Sequence, residues 1–150
     1  MTGLARWDLS DSLTLTSTTA VRSFETAETF DPDGISLPLL SAVEDAYGDQ
    51  FSQELQVSYN GPRLQGVAGV YYMDANAFNE FDTILAGAVP TSTYTMGDID
   101  TKAWAAYFDG SYNLTDSVSL SLGGRYTVDK READVLRQIY FGLAGTPDMG

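Results

Sequence analysis

Ser117-Val-Ser-Leu-Ser-Leu-Gly-Gly-Arg-Tyr-Thr-Val-Asp129 alternates without a break. Its even positions are Val118, Leu120, Leu122, Gly124, Tyr126 and Val128. Its odd positions are Ser117, Ser119, Ser121, Gly123, Arg125, Thr127 and Asp129. A strand sends alternate side chains to opposite faces, so this stretch has one apolar and one polar face. A helix would scatter the same residues around its surface.

The preceding segment extends the pattern. Trp104, Ala106, Phe108, Gly110, Tyr112 and Leu114 form an apolar set. Ala103, Ala105, Tyr107, Asp109, Ser111 and Asn113 form a small or polar one. Thr115-Asp116-Ser117 between the two strands is turn chemistry. Opposed residues of a hairpin share a face, so Leu114 should face Val118 and Tyr107 should face Arg125. Two more hairpins read alike. Leu55, Val57 and Tyr59 alternate with Glu54, Gln56 and Ser58, then Leu64 to Tyr72 resumes after Asn60-Gly-Pro-Arg63. Near the start, Ala5, Trp7 and Leu9 precede Ser10-Asp-Ser12, and Leu13 and Leu15 follow, in a strand expected to reach about Glu28. Leu9–Thr16 repeats Leu114–Ser121 in chemical type, with the Asn60 turn about halfway between. The chain therefore reads as an all-β antiparallel meander of about six strands in three hairpins.

Short turns fall at 10–12, 60–63 and 115–117. Long connections are expected at roughly 30–49, at 80–100 and after Asp134. All short turns then lie at one end, which is the asymmetry of outer-membrane barrels. Leu37, Leu40 and Val43 have helical spacing and suggest a short helix inside the first long loop.

Composition narrows the function. The 150 residues contain no His and no Cys. Ser-His-Asp and Cys-His catalysis, His- or Cys-ligated metals and disulfides are excluded. Eight Lys and Arg stand against 21 Asp and Glu, a net charge of −13. Such a chain suits no nucleic-acid backbone. Asp31–Asp49 holds five acids and no base, and so does Asp74–Asp100, so the acidity is expected in the long loops. No run approaches the roughly 18 apolar residues of a membrane helix, and the start lacks a secretory pattern. Strands of about 9–11 alternating residues are the other way across a bilayer.

Asp31-Pro-Asp-Gly34 resembles part of a calcium loop, but Ile35 occupies a ligand position, so the segment reads as a turn. Glu54 and Asp109 could in principle act as paired carboxylates, but nothing in the sequence brings them together. No catalytic residue, metal site or cofactor is expected. Glu54, Gln56, Tyr107, Asp109, Arg125 and Asp129 are candidates to face a polar lumen. Trp7, Tyr59, Tyr72, Trp104, Phe108, Tyr112, Leu120, Leu122 and Tyr126 are candidates to face lipid or form an aromatic girdle.

Phe51–Tyr59 with Leu64–Tyr72, and Ala105–Lys130 with its Leu-Thr-Asp turn and Gly-Gly-Arg-Tyr-Thr strand, resemble hairpins of TonB-dependent outer-membrane receptors. The resemblance is strong over about 50–133 and looser over 4–30. It implies a 22-stranded barrel in the bacterial outer membrane, filled by an N-terminal plug. It also implies uptake of a scarce nutrient, most often a ferric siderophore, powered by the TonB complex through the plug. About six strands cannot close even an eight-stranded barrel, so residues 1–150 are expected to be a partial barrel domain without plug or remaining strands. Outer-membrane lipid, the TonB complex and a ligand at the long loops are the implied partners. No ligand-binding residue of the family carries over. Two alternatives stay open: a passive porin-type barrel and a soluble β-sandwich binding module.

Overall fold

The computed structural model describes residues 1–34, 39–86 and 90–141. Six strands account for nearly all of them: β1 (Thr2–Ser10), β2 (Leu13–Phe30), β3 (Leu40–Asn60), β4 (Leu64–Leu85), β5 (Thr91–Thr115) and β6 (Val118–Phe141). They form one sheet in chain order, each strand beside its sequence neighbours. The three short turns stand where turn residues placed them, between β1 and β2, β3 and β4, and β5 and β6.

The first hairpin shows how side-chain pattern sets register. Trp7 faces Leu15 and Asp8 faces Thr14, which keeps apolar opposite apolar and polar opposite polar. An irregularity between Asp8 and Ser10 closes the turn. In the third hairpin Tyr107 and Arg125 meet across the ladder, as the Leu114–Val118 pairing requires.

Three expectations are corrected. The long connections are mostly strand: β3 starts at Leu40, β4 runs to Leu85, β5 starts at Thr91 and β6 runs to Phe141. The helix expected around Leu40 and Val43 is strand instead, and Leu37 lies outside the described residues. The acids placed in loops sit mainly on strands, as with Glu44, Asp49, Glu80, Asp82 and Asp98. The cause is common to all three. Where neither face is apolar, no period-two signal exists, yet backbone pairing still holds the strand. The Asp31 segment is a turn, with Asp31 Oδ1 accepting from the Asp33 amide at 3.2 Å and Gly34 at a φ of 63°. That φ lies in the left-handed region, which glycine enters freely.

The sheet crosses two compact units. Unit 1 comprises Met1–Arg22, Gln50–Ala75 and Thr101–Arg131, and unit 2 comprises Ser23–Asp49, Asn76–Asp100 and Glu132–Gly150. Strands β2 to β6 each contribute to both. Among the described residues the buried apolar side chains are only Ala42, Ala103 and Ala105, and no large side chain is fully buried. A soluble sandwich needs a core between two layers; this sheet leaves its large apolar residues uncovered.

Candidate functional site

The polar face of unit 1 is organised around Tyr107. Its hydroxyl donates to Glu54 Oε1 at 2.7 Å and to Gln56 Oε1 at 3.3 Å. Glu54 and Gln56 are on β3 and Tyr107 is on β5, so the ring crosses β4 to reach them. Gly69 on β4 makes this possible. A Cβ there would lie 2.6 Å from the Tyr107 hydroxyl and ring. A strand glycine commonly marks such a close approach. On the other side the Arg125 guanidinium lies 6.0 Å from the Tyr107 ring centroid, in cation–π range. Its Nε donates to Thr127 Oγ1 at 3.1 Å. Asp109 leans over Gly123, whose added Cβ would meet Asp109 Oδ2 at 2.5 Å. Asp129 pairs with its same-face neighbour Arg131 at 3.2 Å. The structure thus joins Glu54, Gln56, Tyr107 and Arg125 into one group, and leaves Asp109 and Asp129 outside it.

The opposite face of unit 1 is apolar and open. Trp7, Tyr59, Tyr72, Trp104, Phe108, Tyr112, Leu120, Leu122 and Tyr126 are all exposed, up to 68% for Leu122. Trp104 and Tyr126 meet with ring centroids 5.6 Å apart. Water-facing surfaces seldom carry so large a contiguous apolar patch without a partner or a membrane to cover it. One polar island interrupts it. Gln53, two residues before Leu55 and hence on its face, donates to Ser17 Oγ at 2.9 Å and accepts from Thr19 Oγ1 at 2.6 Å. Each of these groups finds a partner inside the sheet, which is what tolerates an apolar surrounding.

Unit 2 is built differently. Tyr47 stacks on Phe78 at 4.8 Å, while Asn79 donates to Glu44 Oε1 at 2.7 Å. Asn76 donates to Asp98 at 2.8 Å and Asp100 at 3.2 Å, holding two like charges on one strand. Tyr94 donates to Glu80, and burial and that carboxylate push its phenol up. Asp82 is buried and its carboxyl is pushed up by desolvation. Its Oδ1 and the buried Ser92 Oγ have no hydrogen-bond partner among the described residues. Among the described residues no group of three or more His, Cys, Asp or Glu is placed to hold a metal ion. No helix there is long and apolar enough to cross a membrane, which leaves crossing by strands open.

Known proteins share this architecture. Residues 2–143 match the sequence model of a family described as TonB dependent receptor-like, beta-barrel. The ferric yersiniabactin uptake receptor FyuA from Yersinia pestis superimposes with a TM-score of 0.65 at 16% identity. That match covers 93% of this chain and 24% of FyuA, so the chain spans about a quarter of the receptor's length. CarO from Acinetobacter baumannii is 12% identical over 90% of this chain and 75% of its own, with a TM-score of 0.32. No curated protein sequence matches.

Proposed function

We propose, because this chain belongs to the TonB-dependent receptor β-barrel family, that its six strands form one stretch of a receptor wall for energy-dependent nutrient uptake. The protein is located in the bacterial outer membrane. The cargo of this reading is a ferric siderophore, and the driving partner is the TonB complex, acting through a plug that belongs to the rest of the receptor. The family is one of transport receptors rather than enzymes.

The observation that carries the reading is the two-sidedness of unit 1. Its exposed aromatic and aliphatic face suits hydrocarbon with a headgroup belt. The Glu54–Gln56–Tyr107–Arg125 group suits a wet interior. On this reading the membrane-spanning segments are the turn-proximal strand stretches of unit 1, and the acid-rich strand stretches of unit 2 meet water.

Uptake of a radiolabelled ferric complex by iron-starved cells tests the function. Disrupting the TonB complex should abolish accumulation while surface binding persists. Flux that survives TonB loss would establish a passive pore instead.

A further inference from the structure

Charge is sorted by face in unit 2. On β2 and β3 the even positions, and on β4, β5 and β6 the odd ones, are in phase with Glu54, Gln56, Tyr107 and Arg125, the set that the uptake reading turns inward. Contacts within unit 2 keep the same phase. Phe30–Phe81 and Glu44–Asn79 join inward positions, while Tyr47–Phe78 and Asn76–Asp98 join outward ones. The outward positions of its strands hold Glu25 on β2 and two acids on each of β3, β4, β5 and β6, with no base. The inward positions of those strands hold Glu28, Glu44 and Arg137 as their only charges.

Glu44 is already bonded to Asn79 at 2.7 Å. The rest of the inward face is mostly small or apolar. Ala46, Ala77 and Gly97 keep it low, and a Cβ on Gly97 would meet nothing within 4 Å. Phe30 and Phe81 reach each other over β3, with ring centroids 6.2 Å apart, and Ala42 of that strand is buried. This contact leaves surface over: Phe30 stays 41% exposed, and Ile99 on β5 stays 44% exposed.

Strands wetted alike on both faces have no cause to confine charge to one of them. Charged groups stay hydrated or paired because desolvating them is costly, and the outward face obeys that rule. The inward face has little with which to pair a charge. A cation or anion set against it would shed water without meeting its opposite, whereas a ring or alkyl surface gains by leaving water.

We propose that the inward face of unit 2 receives cargo and selects an electrically neutral complex, which lays an aromatic or aliphatic surface on Phe30, Phe81 and Ile99 over the open ground at Gly97. This deepens the uptake reading and rests on it, because on that reading cargo passes along the inward side of the wall.

The test uses a ferric trihydroxamate, neutral at the metal, whose free amine is benzoylated, left as the ammonium, or succinylated to an anion. Affinities are read from fluorescence quenching of the purified complete receptor in detergent, so the main comparison needs no variant. The benzoyl form should bind about tenfold tighter than either charged form, the scale of one ring leaving water. Ile99→Ser and Gly97→Val should each remove most of that margin, and Asp98→Asn on the outward face should leave it intact. A cysteine in Ile99→Cys should react with a water-soluble maleimide in the free receptor and be shielded once the benzoyl form is bound. A thiol already unreactive without ligand means that a protein segment covers the face, and overturns the proposal. Equal affinities, a tighter charged form, no binding of the benzoyl form, or a margin that survives both Ile99→Ser and Gly97→Val overturn it as well. Accumulation in cells that does not depend on TonB sinks the uptake reading alone, while accumulation that does, without the benzoyl margin, sinks only the selection of neutral cargo.

Discussion

The same five strands run through two units that obey different rules. In unit 1 the charges cancel, one face is apolar and the polar face is tied together by Tyr107. In unit 2 acids dominate, aromatic pairs alternate with carboxylates, and the buried side chains include Asp82 and Ser92. A strand needs about 9–11 residues to cross a bilayer, whereas β3 has 21 and β5 has 25. The difference teaches that strand continuity says nothing about solvent. Backbone pairing extends through both units, while their side-chain chemistry differs.

The largest effect should come from charging the apolar face of unit 1. Leu122→Arg should cost about 2–4 kcal/mol if Leu122 faces the bilayer midplane. Val135→Arg, at an equally exposed position in unit 2, should stay within about 0.5 kcal/mol. Denaturant titration of the complete receptor in lipid vesicles measures both, and equal costs would erase the distinction between the units.

Next comes the glycine seat. Gly69→Val would place atoms where the Tyr107 ring lies, forcing overpacking worth about 1–3 kcal/mol. In unit 2, Gly97→Ala has open space around the added Cβ and should change stability little. Tyr107→Phe removes the bonds to Glu54 and Gln56 and should cost about 1 kcal/mol.

A smaller effect depends on pH. Burial holds the Asp82 carboxyl above its ordinary 3.8 in the folded chain. The folded state therefore keeps the proton to higher pH than the unfolded state. The stability this group contributes is complete below 3.8 and is lost as pH rises through the raised folded value. Hydrogen exchange over 76–100, corrected for intrinsic rates, should show protection falling with pH in the native chain. Asp82→Asn should flatten that slope and leave unit 1 unchanged.

The mildest probe is single-cysteine labelling along 117–129 in the complete receptor. Even positions should take lipid-soluble reagents and odd positions water-soluble ones. A 3.6-residue period would break the strand reading.

Much of unit 1 was legible in the sequence because its two faces differ in polarity. Leu120 and Leu122 between serines, and Tyr107 opposite Arg125, follow from a period of two alone. Residues 30–49 and 80–100 read as loops because Glu44, Asp49, Glu80 and Asp98 alternate with nothing consistently apolar. The Tyr107–Glu54 bond was out of reach, since it joins residues 53 apart across an intervening strand. Gly69, inside an otherwise filled strand, was its available signal. Asp82 and Ser92 left no trace, because burial there depends on how β4 and β5 are covered.

The Tyr107 seat also acts as a gauge of alignment. A register slip of one residue in β4 would turn Ala68 or Val70 toward the ring and hold it away from Glu54. A polar, featureless wall could slide between alignments at little penalty. Here a misthreaded hairpin is marked by one displaced phenol, so strands that enter a membrane out of step have a reason to unzip and try again.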